Sequence, residues 1–166
     1  MICFESFPMR DEPNPSNQFH AAHINLLLGS YRRWTGRRLE ISRTGDQEGS
    51  ESGAIYRAPF VVLSHGTEAD PIFNYANQAG QSLFEMTWRE FMETPSRLSA
   101  EPLVRAERLR LFERVAEHGF IEDYRGVRVS KSGRRFFIER ATVWTVQDAA
   151  GNPAGQAALF SHWEYL

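Results

Sequence analysis

Over the last third of the chain, apolar residues recur at every second position. Residues 134–166 (RRFFIERATVWTVQDAAGNPAGQAALFSHWEYL) read as two long strands joined by the turn Asp148-Ala149-Ala150-Gly151-Asn152. A third strand, 120–129, closes on Lys131-Ser132-Gly133 and completes an antiparallel meander. Upstream, 59–65 (PFVVLSH) and 71–76 (PIFNYA) flank a turn at 66–70 and predict a hairpin. Helical spacing takes over next. Asn77 caps a helix over 78–85 that carries Leu83 and Phe84, and a short piece over 87–92 carries Trp88, Phe91 and Met92 until Pro95 stops it. A longer helix over 103–118 turns Leu103, Ala106, Leu109 or Leu111, Phe112 and Val115 inward. It leaves Arg105, Glu107, Arg108, Arg110, Glu113, Arg114 and Glu117 outside and ends at Gly119.

Near the N-terminus, Ser16 can cap a helix running to about Trp34, with Phe19, His23, Leu26, Leu27, Ser30 and Trp34 on one side. Gly36 ends it. Residues 44–53 (TGDQEGSESG) have no periodicity and predict a loop. The chain thus divides into a disordered or extended tail over 1–16, a helical extension over 17–43 and a domain proper over 54–166. The element order gives an α+β fold with one five-stranded antiparallel sheet. Strand 136–146 is apolar at both parities: simple alternation sends Phe136, Ile138 and Trp144 one way and Phe137, Ala141 and Val143 the other. Both sheet faces therefore need cover, one from the central helices and the other from helix 17–34, its own or a partner's.

Composition narrows the function classes. A formal net charge of -2 over 166 residues gives no global basic field for nucleic acid or an anionic membrane. The local cluster Arg32, Arg33, Arg37, Arg38 and Arg43 reads as a solvated helix end complementing the helix dipole. The single cysteine, Cys3, excludes an intramolecular disulfide and a zinc-type cysteine cluster. The start MICFESFPMRDEP lacks signal-peptide character, and no segment approaches the ~20 apolar residues of a membrane span. These features point to a cytoplasmic protein.

The layout and its punctuation resemble a PAS sensor domain: Asn77-Gln78-Ala79 after the second strand, then turns at Lys131-Ser132-Gly133-Arg134 and at residues 146–151. More specifically, LSHGTEADPIFNYAN, PSRLSAEP, SGRRFFIERATVW and GQAALFSHWEYL resemble the MEKHLA family, a PAS-related domain. That family occurs as small stand-alone bacterial proteins and at the C-terminus of plant class III homeodomain-leucine-zipper factors. The resemblance covers roughly residues 17–166. It implies a PAS-like domain over 54–166 and a ligand-responsive or dimer-controlling role, with no assigned reaction. Light-oxygen-voltage PAS domains carry a reactive cysteine before the long helix. Here that stretch is Thr94-Pro95-Ser96-Arg97-Leu98, and the Ser96 hydroxyl cannot form a flavin thioether adduct. His118, at the last turn of the long helix, is better placed to meet the helix dipole than to ligate haem.

His20 and His23 stand at i, i+3 without an acid or thiol to complete a metal site, so none is expected. His65, Glu68 and Asp70 cluster at the first hairpin and could form an acid-base pair, but carboxylates in such turns accept backbone hydrogen bonds. Ser161, His162 and Glu164 form no triad, since alternation places Ser161 opposite the other two.

The expected pocket lies between the sheet face with Phe136, Ile138, Thr142 and Trp144 and the helical segments with Phe84, Trp88, Phe91 and Leu98, joined by Asn74 and by Arg97 as the anchor for a polar or anionic end. The expectation is a non-catalytic PAS-like domain binding an unidentified small molecule. It would act as a homodimer through helix 17–34 and the sheet, or through a protein partner. A small α+β-cone enzyme using a His-carboxylate pair and a pure dimerisation module with a solid core are the alternatives.

Overall fold

A computed structural model describes residues 11–41 and 50–166; the side chains of residues 102–105 lie outside the described set, as do Cys3 and Arg43. Among these residues, five α-helices and six strands follow one another as α1 (Ala21–Thr35), α2 (Glu51–Arg57), β1 (Val61–His65), β2 (Phe73–Ala76), α3 (Gln78–Phe84), α4 (Trp88–Met92), α5 (Pro102–His118), β3 (Phe120–Val129), β4 (Arg135–Gln147), β5 (Pro153–Phe160) and β6 (His162–Tyr165). The strands form one antiparallel sheet in the order β2-β1-β5-β4-β3, with β6 continuing alongside β4. β1 thus pairs with β5 in the middle of the sheet, and α3 to α5 cover what we call its inner face.

The central helices form where capping residues predict them. The side chain of Asn77 accepts from the Gly80 amide at the start of α3, and Thr87 with Glu90 closes a capping box on α4. Gly119, at φ 86°, ends α5, and a Cβ there would fall 2.4 Å from the Trp34 ring, so glycine serves both the turn and the packing of α1. The N-terminal helix starts later than the Ser16 cap predicts. Asn14 caps a 3-10 turn (Pro15–His20), and Gln18, Phe19 and His20 then take left-handed φ values of 54, 51 and 55°. Tertiary contacts hold that costly conformation: Phe19 is buried against Gly53, and Ser52 Oγ donates to the Gln18 carbonyl at 2.8 Å. Glu51 to Gly53, read as loop, form the first turn of α2, where Ser50 Oγ accepts from the Gly53 amide.

α1 lies along the outer face of its own chain's sheet. Ile24, Leu27 and Tyr31 are buried there with Val62, Trp144 and Val146. Ser30 Oγ both donates to the Gln147 carbonyl and accepts from its amide, while Trp34 Nε1 donates to Thr145 O at 2.9 Å and Trp144 Nε1 to Leu27 O at 3.1 Å. The buried stripe is Phe19, Ile24, Leu27, Ser30 and Tyr31; Leu26 and Trp34 are only partly buried.

Simple alternation breaks along β4. Phe136 and Ile138 pack on the inner face, yet Thr142 and Trp144 lie on the outer one, while Ala141 and Val143 face inward. Arg140, at φ 53°, is the cause: it inserts a bulge between Ile138 and Ala141 and reverses every later side chain. Asp123, at φ 60°, compensates in β3, and the break at Ser161 between β5 and β6 does so on the other side. That break makes six strands of the five expected.

Candidate active cavity on the inner face

The inner face holds a cavity of about 70 Å³ beneath α5, several times the ~10–15 Å³ that one water needs. Its walls are mostly apolar: Leu63, Phe73, Phe84, Leu111, Phe112, Ile138, Ala141, Val143, Ala157, Ala158 and Phe160, together with Ser64 and Ser99. Besides the two serines, His65, Arg108, Tyr124, Arg128 and Gln156 bring polar or charged groups to this lining.

His65 and Gln156 are register partners on β1 and β5, so both face the cavity from adjacent positions. Gly155 makes that pairing close. Its φ is +133° and a Cβ would sit 2.0 Å from the His65 carbonyl oxygen, so only glycine lets the strands approach there. The His65 ring places Nδ1 2.9 Å from the Gly66 carbonyl. A carbonyl only accepts, so Nδ1 carries the proton and Nε2 of the neutral ring is a bare acceptor. That Nε2 is buried without a partner among the described residues, and so is Gln156 Oε1. Burial pushes the His65 pKa below its ordinary 6.5 and the Arg108 charge adds to this, against the opposing Gly66 bond and Glu68 charge. Two orphaned acceptors therefore share one apolar cavity.

The charged wall comes from α5 and β3. Arg108, expected outside with the other charges of α5, is 7% exposed and one turn from Leu111 and Phe112. Its guanidinium lies 4.4 Å from the Phe112 ring centre, and that ring meets His65 edge-on at 5.3 Å. The stacked cation and buried stem explain the inward turn. Of the other inward expectations, Leu111 and Val115 are buried and Phe112 is half-buried, Leu109 is 63% exposed, Ala106 is exposed and Leu103 lies outside the described side chains. On β3, Tyr124, Gly126 and Arg128 follow at strand spacing. Arg128, also 7% exposed, donates to Tyr124 Oη at 2.8 Å and Val127 O at 2.9 Å. A Cβ at Gly126 would meet that Tyr124 hydroxyl at 2.4 Å. Among the described residues no carboxylate pairs with Arg128.

The expected pocket residues are spread over several environments. Phe84 and Ile138 line the cavity, and Phe91 and Phe136 lie behind it in the same apolar cluster. Trp88 and Trp144 belong to the outer-face cluster, and Thr142 shares the outer side through the bulge. Asn74 Oδ1 accepts from Ser64 Oγ, whose other neighbour is His23 Nε2. Arg97 is exposed and pairs with Asp70 at 3.1 Å, which fastens the loop before α5, and Leu98 is 44% exposed. Ser96 is buried, and its Oγ has no partner among the described residues. The histidines singled out for acid-base work meet no carboxylate within hydrogen-bonding reach among the described residues: His65 faces Gly66 O, and His162 Nδ1 lies 3.0 Å from Ser161 Oγ. Sequence reasoning missed His65 with Gln156, Arg108 and Arg128 as a group. The inward parity of Tyr124 and Arg128 was available from alternation along β3, while the β1–β5 register was not.

This strand order, with helices over one face and the cavity beneath the long helix, can be set against known proteins. A family model described as "MEKHLA domain" matches residues 21–165. The chain belongs to the MEKHLA-domain family. The match begins at the first residue of α1. Homeobox-leucine zipper protein HOX32 of Oryza sativa subsp. japonica is 28% identical over 155 residues, which is 92% of this chain and 18% of that protein. The MEKHLA chain thus spans under a fifth of that relative. Among solved structures, a PAS domain from Colwellia psychrerythraea superposes with a TM-score of 0.58 at 11% identity, covering 69% of this chain and 92% of that one. A light-oxygen-voltage domain studied with a flavin analogue superposes with a TM-score of 0.56 at 16% identity, covering 74% and 88%. The MEKHLA domain therefore has the PAS fold. No helix among its described residues is long and apolar enough to cross a membrane.

Proposed function

We propose that this MEKHLA domain is a sensory module of the cytoplasm that holds a small molecule in the cavity beneath α5 and passes its occupancy to a partner protein without catalysis of its own. The observation that carries the reading is the pair of buried, partnerless acceptors, His65 Nε2 and Gln156 Oε1, facing the same apolar space. Leaving such groups unmet costs about 1–3 kcal/mol each, and a bound donor recovers that cost. The likeness to PAS and light-oxygen-voltage domains supports the reading at the level of the fold.

Occupancy has a direct route outward. The cavity touches α5 on one side and β1, β4 and β5 on the other, while α1 is hydrogen-bonded to the back of β4. A shift of β4 therefore reaches both layers. The apolar stripe of α1 rests on its own sheet, so a homodimer through this layer would meet on the other side of α1 or exchange the helix between chains.

The test is a thermal-shift screen of small molecules on wild type and on Ala158→Met, which fills the cavity from β5 without touching α1. A ligand that binds the native state raises the melting point by mass action. The reading expects hits on wild type that vanish in the variant. Hits of equal size on both proteins would move the site elsewhere.

A further inference from the structure

Resting on that cavity reading, we infer that the ligand is a short-chain hydroxy acid, its carboxylate held on the Arg128 side of the cavity and its hydroxyl donating to His65 Nε2 or Gln156 Oε1. Size sets the first limit. The space is about 70 Å³, under half of the ~150 Å³ engineered cavity that accepts benzene. A three-carbon skeleton suits it and an aromatic ring does not.

Polarity sets the second limit, and it differs between the two ends. At the β1–β5 end both orphaned atoms are acceptors, since the Gly66 carbonyl holds the His65 proton on Nδ1. That end calls for a hydroxyl or N–H donor and disfavours a second acceptor. At the β3 end Arg128 is buried, lines the cavity and among the described residues bonds only to a phenol oxygen and a peptide carbonyl. A buried guanidinium bonded to neutral groups alone retains most of its desolvation cost, and an anion relieves it. Arg108 on α5 places a second positive charge in the same lining. A neutral alcohol satisfies one end and a plain carboxylate the other; a hydroxy acid satisfies both.

Matched probes separate these contributions. Lactate, propionate and propane-1,2-diol share a three-carbon skeleton and differ in carrying both groups, the carboxylate alone or hydroxyls alone. Titration calorimetry on the full chain is expected to rank lactate about tenfold or more above each of the others, as one charge-assisted or one donor bond would give. Arg128→Gln should abolish the advantage of lactate over propane-1,2-diol, and Gln156→Leu its advantage over propionate, with circular dichroism confirming the fold of each. Propionate or propane-1,2-diol binding as tightly as lactate would overturn the hydroxy-acid assignment and leave the cavity reading intact. Binding of none of the three would overturn the assignment, and if pressurised xenon also fails to enter, the cavity reading falls with it.

Discussion

Truncating Leu27 in α1 tests whether this helix is part of the domain or an appendage. Leu27 is 1% exposed, and its carbonyl accepts from Trp144 Nε1 at 3.1 Å. Its side chain belongs to the outer-face cluster with Ile24, Tyr31, Val62 and Val146. Leu→Ala at a buried site costs about 2–5 kcal/mol through lost transfer energy and the cavity left behind. Anchored neighbours on both sides of Leu27 limit collapse, so Leu27→Ala should cost about 3 kcal/mol. At ~2–4 °C per kcal/mol for a chain of this size, the melting point should fall by roughly 6–12 °C. Urea denaturation followed by tryptophan fluorescence and far-ultraviolet circular dichroism gives the energy. Leu109→Ala, at a side chain 63% exposed on α5, is the control and should stay within ~0.5 kcal/mol. Coincident transitions displaced by the expected amount would show α1 unfolding with the sheet. A Leu27→Ala midpoint within error of wild type would refute the packing of α1 on its own sheet.

Three further outcomes follow from named residues. Arg140→Gly should be neutral or mildly stabilising, since glycine tolerates φ 53° better than arginine, whereas Arg140→Val, β-branched at that left-handed φ, should cost about 1 kcal/mol by chemical denaturation. His65 has a folded pKa below its unfolded 6.5, so the unfolded chain takes up the proton first as pH falls. Stability should therefore decline from about pH 6.5 downward, and melting curves of His65→Gln should lack that component; an unchanged slope in the variant would disprove it. Arg97→Ala removes an exposed pair with Asp70 and should lower stability by no more than ~1 kcal/mol, with unchanged ligand-induced shifts in the thermal screen.

Much of the architecture is legible in the sequence because local rules and tertiary packing agree there. Asn77, Thr87 and Gly119 mark helix ends by their own chemistry, and the strands show their period-2 pattern. Alternation fails where one residue resets the count. Nothing about arginine announces a left-handed φ at position 140, and the bulge exists because Asp123 and Ser161 break the neighbouring strands at the same height. That reset put Thr142 and Trp144 in the wrong layer of the expected pocket. Arg108 was placed outside because charge usually marks the solvated face of a helix, yet a guanidinium stacked on Phe112 can turn inward. The cavity's polar end depends on pairing β1 with β5, strands far apart in the sequence, and the close approach at Gly155 that fixes it is visible only once they meet.

Native mass spectrometry of protein purified without denaturation from its host, run beside Ala158→Met, tests most directly whether the cavity is a ligand site. The expected result is a wild-type protein heavier than its polypeptide by a small, discrete mass that is lost on denaturation, and a variant at the bare polypeptide mass. Wild type and variant carrying the same adduct, or wild type at the bare mass even after exchange into host extract, would contradict it.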